Sequence, residues 1–254
     1  MDDPAISVEK RILFQNDACL IINKLPGESS EFPDVMWISE EILVPVNRLD
    51  TPVSGCLLLA KTQEAAAFLG AALARPARDG KLCAIERKYW AIVENPPEGN
   101  LLPPEGELVH WLFENKKVNK SFAYPYSKTP PSLPGNAPEG QVSKEQPERY
   151  TRPKKAVLRC RLAGKGEHYL FLEIDLVTGR HHQIRAQLAA LGLRIKGDLK
   201  YGAKRSERGG GIRLHSFSLA FPNPLGLHEI IRVKAEPPVM DALWLAFREA
   251  VEIL

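Results

Sequence analysis

Apolar and polar positions along this chain change over in short runs, and few runs have the length or the period of a helix. In residues 11–23, RILFQNDACLIIN, two apolar runs flank Asn16 and Asp17, which predicts two short strands around a tight turn. Lys24-Leu-Pro-Gly27 breaks the pattern, and residues 28–31 read as loop. Residues 56–60, CLLLA, form an unbroken apolar run of the length expected for a fully buried strand. Residues 62–73 turn to alanine and leucine, with Thr62 placed to cap a helix. Residues 87–93, RKYWAIV, return to strand-like types. Residues 156–162 and 169–176 predict paired strands joined at Gly164-Lys165-Gly166. Residues 182–191 predict a short helix closed by Gly192. Two more strands follow at 212–221 and 230–235. The last segment, 238–254, spaces Met240, Leu243, Trp244, Phe247 and Val251 on one helical face, a stripe that reads as core contact. Many strands with scattered helices predict an α+β fold around a mixed, largely antiparallel sheet with flanking helices.

Composition adds limits. A length of 254 residues suits one large domain or two small ones, and a 44% hydrophobic content allows a sizeable core. Residues 125–153 hold seven prolines and few apolar side chains. Proline lacks the donor that a helix interior or a central strand needs, so this tract reads as a surface insertion. No apolar run approaches the roughly 20 residues of a membrane span, and no membrane partner is expected. The N-terminus, MDDPAISVEKR, is acidic and polar, unlike a secretory signal. Cys19, Cys56, Cys83 and Cys160 are scattered without a CxxC pair, which favours buried thiols in a reducing cytoplasm. The net charge of +3 is mild, but residues 194–213 carry Arg194, Lys196, Lys200, Lys204, Arg205, Arg208 and Arg213 against only Asp198 and Glu207. Such a cluster can neutralise phosphates.

The candidate chemistry begins at VNRLDTPVSG, residues 46–55, where one carboxylate, Asp50, stands just ahead of the buried run. Taken alone it would serve as an Asx turn or a helix cap. It does not stand alone. VNRLDTPVSGCLLLAK, RKYWAIV, LVTGRHHQIRAQLAALGLRIKGDLKYG and IRLHSFSLAFPNP, in this order and spacing, resemble the RluA-type RNA pseudouridine synthases. The resemblance covers residues 12–235 apart from the proline-rich tract, and it implies the catalytic fold of that family. It implies that Asp50 is the nucleophile of a uridine-to-pseudouridine isomerisation. That reaction breaks the C1′–N1 bond and rejoins the uracil through C5, with no net redox change and no hydrolysis, so no cofactor is expected. Arg185 matches the family arginine that pairs with the aspartate, and a guanidinium would keep the carboxylate oriented. Tyr89 matches the family tyrosine, whose ring can stack on the base and whose hydroxyl can assist loss of the C5 proton.

Further residues are expected to bind substrate. Arg48 lies two positions before Asp50, so in an extended loop both side chains point the same way, toward phosphate or the gap left by a flipped base. His182 is expected to make supporting hydrogen bonds. Lys196, Lys200 and Arg208 are expected to grip RNA phosphates. His181 and His182, read as an extended pair, face opposite sides and lack a third ligand nearby, so no metal is expected. Gly209-Gly210-Gly211 is not followed by the GK[ST] of a phosphate loop and reads as a flexible approach to the next strand. The chain departs from the family pattern at Asn47, Val53 and His181, where histidine, threonine and threonine are usual. The first strand begins near Arg11, so residues 1–254 read as one catalytic domain without a separate N-terminal RNA-binding domain. The expected partner is structured RNA, ribosomal or transfer, acted on by a monomer. A catalytically silent RNA-binding module on the same fold is the alternative, and the intact Asp–Tyr–Arg set favours the enzyme.

Overall fold

A computed structural model describes residues 7–31, 33–34, 43–75, 84–96, 105–131, 150–207, 209–226 and 229–252. In chain order the strands are β1 (Ile12–Gln15), β2 (Cys19–Lys24), β3 (Val44–Pro45), β4 (Ser54–Ala60), β5 (Glu86–Glu94), β6 (Gly106–Asn115), β7 (Lys120–Pro125), β8 (Lys154–Lys165), β9 (Tyr169–Leu176), β10 (Leu214–Pro222) and β11 (Ile230–Lys234). Among the described residues three α-helices accompany them: α1 (Gln63–Ala74), α2 (Gln183–Ala190) and α3 (Ala242–Glu252). The strands form one sheet in the order β1-β2-β4-β10-β5-β9-β8-β6-β7, with β11 paired to β10 and β3 to β4. Among the described pairings only β4 with β10 is parallel, so the sheet is mixed and largely antiparallel, as the patterning predicts.

Local chemistry accounts for most elements. The Asn16 side chain accepts from the backbone N–H of Ala18 and Cys19, at 2.9 and 2.8 Å, and so closes the β1–β2 turn. β4 is buried along its whole length. Thr62 caps α1 by accepting from Ala65 N–H at 3.1 Å. Gly55 must be glycine. Its φ is +114°, and a Cβ there would stand 2.3 Å from the carbonyl oxygen of Ser216 on the neighbouring β10. The Val-Ser-Gly sequence after Asp50 therefore lets the parallel pair approach. The α3 stripe packs on one face of the sheet with Trp90, Ile92 and Phe171, and Trp90 stacks on Phe247 at 4.8 Å between ring centroids. Leu188 and Ile184 of α2 pack with Tyr89, Leu172 and Leu214 in a second core cluster.

Three expectations need correction, and one hairpin is added. Gly164 and Lys165 remain in β8, paired through a bulge to Phe171 and Leu170, and the turn is one step later, where Gly166 N–H donates to the Tyr169 carbonyl at 2.8 Å. The β6–β7 hairpin stands where no element was predicted. His182 is not a helical residue but the N-cap of α2, at φ +50°. That left-handed turn folds the two histidines together, so His181 and His182 stack at 3.8 Å instead of facing opposite ways. Of the cysteines, Cys19, Cys56 and Cys160 are buried and free, and Cys83 lies outside the described residues. Most of the proline-rich tract, residues 132–149, also lies outside them.

Candidate active site

The loop that carries Asp50 is pinned from beneath. Lys24, at the end of β2, is completely buried, and its ammonium donates to the carbonyls of Leu25 and Glu28 at 2.8 Å each and of Thr51 at 3.3 Å. Burial pulls its pKa down to about 8, against the pull of Glu28 and Asp50. Ser30 Oγ accepts from Leu49 N–H at 2.9 Å and donates to the Leu49 carbonyl at 2.8 Å. Asn47 fixes the other end: its amide accepts from Leu58 N–H at 2.7 Å and donates to the Cys56 carbonyl at 3.2 Å. An amide thus completes the edge of β4 at this departure from the family pattern. Val53 is buried in the core beside Leu49 and Tyr89.

Asp50 faces a cleft of about 900 Å³ whose walls include Arg48, Tyr89, Arg180, His182, Arg185 and Lys200. Its inner end is a cavity of about 60 Å³ between Asp50, Tyr89, Val53, Leu176 and Leu214. The first turn of α2 places Arg185 over the carboxylate, with Nη1 donating to Asp50 Oδ2 at 2.9 Å. The same guanidinium is forked from behind by Asp198, through Nε to Oδ2 at 2.7 Å and Nη2 to Oδ1 at 2.8 Å. Asp198 is 2% exposed. Burial alone would lower the Arg185 pKa, but the bonds from Asp198 and then Asp50 more than offset this and raise it. His182 Nε2 lies 3.6 Å from the same Asp50 Oδ2. Its Nδ1 is 3.0 Å from the hydroxyl of Tyr201, which accepts from Ser121 N–H at 2.9 Å. Burial, with Arg185, His181 and Lys200 nearby, lowers the His182 pKa to about 2, so the imidazole is neutral. Among the described residues nothing donates to Asp50 Oδ1.

Tyr89 is buried, which raises its phenol pKa. Its ring walls the cavity, but the hydroxyl stays protonated and cannot act as an ionised base. Arg48 is exposed on the rim and pairs with Glu31 at 2.9 Å. The basic stretch is less free than its composition suggests. Lys196 and Arg213 both pair with Glu207, and Arg213 also with Asp241. Lys200 reaches the cleft, donating to the Asn119 carbonyl at 3.0 Å. Lys196 is not among the cleft walls, and Arg208 lies outside the described residues. Sequence reasoning gave no role to Asp198, Tyr201, Lys24 or Ser30. The Gly-Asp and Tyr-Gly pairs of GDLKYG, and the break at KLPG, were the available signals.

A family model described as RNA pseudouridylate synthase matches residues 39–190. The chain is 29% identical over 140 residues to the uncharacterized RNA pseudouridine synthase YlyB of Bacillus subtilis, which covers 52% of this chain and 46% of that one, so it spans just under half the length of that relative. It is 28% identical over 237 residues to the dual-specificity RNA pseudouridine synthase RluA of Vibrio parahaemolyticus, covering 84% and 78%. The human RNA pseudouridylate synthase domain containing 4 shares the fold, with a TM-score of 0.64 at 18% identity over 96% of this chain and 94% of that chain. No helix among the described residues is long and apolar enough to cross a membrane. With a match across more than half its length, and a partly buried Asp–Arg pair at the cleft that the matching stretches build, the chain belongs to the RluA-type RNA pseudouridylate synthase family.

Proposed function

We propose that this enzyme isomerises uridine to pseudouridine in structured RNA, ribosomal or transfer, with Asp50 as its nucleophile. The observation that carries the assignment is the asymmetry of one carboxylate. Arg185 and His182 both address Oδ2, and Oδ1 is left without a donor at the cleft. Oδ1 is then the oxygen that meets C1′ of a flipped uridine. As the Oδ1–C1′ bond forms, the C1′–N1 bond breaks and its electron pair goes to the uracil ring. Arg185 orients the carboxylate and stabilises its charge when it is released. His182 supports the same oxygen if its proton sits on Nε2. The Tyr201 hydroxyl lies 3.0 Å from Nδ1, with the Ser121 carbonyl at 3.2 Å as a second acceptor for its single proton.

The uracil turns against Tyr89, whose ring gives a flat wall beside Leu176 and Leu214. C5 then attacks C1′ and returns the electron pair to Asp50. The C5 proton must leave last. Because burial keeps Tyr89 protonated, the base available at that moment is the carboxylate of Asp50 itself, with the Tyr89 hydroxyl as hydrogen-bond partner. Protonation of N1 closes the balance. Lys200, Arg180 and Arg48 on the rim suit the RNA backbone.

The test is direct. RNA from cells lacking the gene is incubated with the purified protein, and pseudouridine is mapped by chemical labelling. New pseudouridine at defined positions of ribosomal or transfer RNA is the expected result. RNA that is bound but never modified would favour a silent binding module.

A further inference from the structure

Arg87 lies two residues before Tyr89 on β5, so both side chains leave the same face of the strand, roughly 7 Å apart along it. Both line the cleft. Arg87 is only 7% exposed. Its Nη2 donates to the carbonyls of Leu176 at 3.2 Å and Val177 at 3.5 Å, and its Nε is buried without a partner. Among the described residues no carboxylate stands within ion-pair distance of it. Burial pulls its pKa below the ordinary guanidinium value. A buried cation without a counter-charge is costly to keep. One neighbour explains what the space is for. A Cβ on Gly179 would stand 2.6 Å from Arg87 Nη1, and Gly179 has no positive φ that would itself demand glycine. The missing side chain therefore gives the guanidinium tip its place in the cleft wall, where any other residue would displace it.

We propose that Arg87, lodged against Gly179 in the cleft wall, is a phosphate site that grips the backbone phosphate beside the uridine held against Tyr89. The inference rests on the functional reading above. The spacing suits it: a base at Tyr89 and its own phosphate are separated by about the two-residue rise between the side chains. The Leu176 and Val177 carbonyls hold the guanidinium in place, so a phosphate oxygen meets a donor that is already oriented. Arg180, next to Gly179 on the cleft wall, adds positive charge outside.

The competing role is a latch, in which Arg87 merely ties the end of β9 to β5. Two variants separate the roles. Arg87→Met removes the charge, whereas Gly179→Ala keeps the charge but pushes the guanidinium tip out of its place, because the new methyl would stand 2.6 Å from Nη1. Binding of uridine, uridine 5′-monophosphate, uridine 3′-monophosphate and adenosine 5′-monophosphate is followed by NMR titration of the intact protein. For the wild type, one uridine monophosphate should bind about tenfold or more tighter than uridine, the worth of a charge-assisted hydrogen bond. That advantage should vanish in both variants, and Gly179→Ala alone decides if Arg87→Met does not fold. A nucleotide advantage that survives Gly179→Ala and Arg87→Met, or one absent from the wild type, overturns the phosphate site. Equal binding of adenosine and uridine monophosphates, still dependent on Arg87, would keep the phosphate site and instead sink the uracil pocket.

Discussion

Arg185 and Arg87 stand in the same cleft, both nearly removed from solvent, and differ in what answers their charge. Arg185 is held between two carboxylates, Asp50 in front and Asp198 behind. Arg87 has two main-chain carbonyls and, among the described residues, no acid. The first arginine has its counter-charges within the fold, and in the function proposed above it aims Oδ2 of Asp50 and leaves Oδ1 to the substrate. The second lacks one among the described residues, and in the inference drawn above a phosphate supplies it. On that proposal the contrast separates an orientation that exists before RNA arrives from a contact that forms only with it.

Breaking the first arginine's pairing should have the larger effect. Asp198→Asn leaves a buried guanidinium with half its compensation, and a loss of about 3 kcal/mol in folding stability is expected from breaking a buried pair. Urea unfolding measures it, and single-turnover kinetics should show a slower chemical step at saturating RNA. An unchanged rate would mean that Asp50 alone orients Arg185.

A smaller effect concerns pH. The folded protein holds the His182 pKa at about 2, against about 6.5 in the unfolded chain. Between these values the unfolded chain binds a proton that the folded one does not, so stability is lost as pH falls below 6.5. Between pH 7.5 and pH 5 the loss from this group is about 2 kcal/mol. His182→Gln should flatten the pH dependence of unfolding by that amount. Next comes Tyr201→Phe, which leaves Ser121 N–H without its acceptor at a cost of about 1–2 kcal/mol. Smallest is the basic stretch. Lys200→Gln should flatten the log–log salt dependence of RNA affinity by roughly 0.7–0.9, one phosphate contact, whereas Lys196→Gln should leave the slope unchanged because Glu207 already holds that charge.

Much of this was legible beforehand. The β1–β2 turn, buried β4, the Thr62 cap and the α3 stripe follow from local rules that the chain obeys residue by residue. Asp50, Tyr89 and Arg185, expected from the matching stretches, do line one cleft. What escaped has physical reasons. β6 is apolar on both faces, with Leu108 and Leu112 on one side and Trp111 and Phe113 on the other, so it lacks the alternation that marks a half-buried strand. The left-handed turn at His182 reverses the direction of a side chain, and nothing in a His-His pair announces it. Asp198 looked like a stray acid in a basic stretch, because its partner lies 13 residues back on α2. The same stretch looked open to phosphate because its ion pairs with Glu207 and Asp241 close only when the loop folds on itself.

The central claim is that Asp50 Oδ1 performs the chemistry, and Asp50→Asn tests it most directly. The amide keeps the size of the side chain but cannot serve as the anionic nucleophile. RNA affinity and single-turnover pseudouridine formation are measured side by side for the wild type and the variant. The account predicts affinity within a few-fold and no detectable pseudouridine, even after long incubation with excess enzyme. Pseudouridine formed by the variant at a rate near that of the wild type would contradict it.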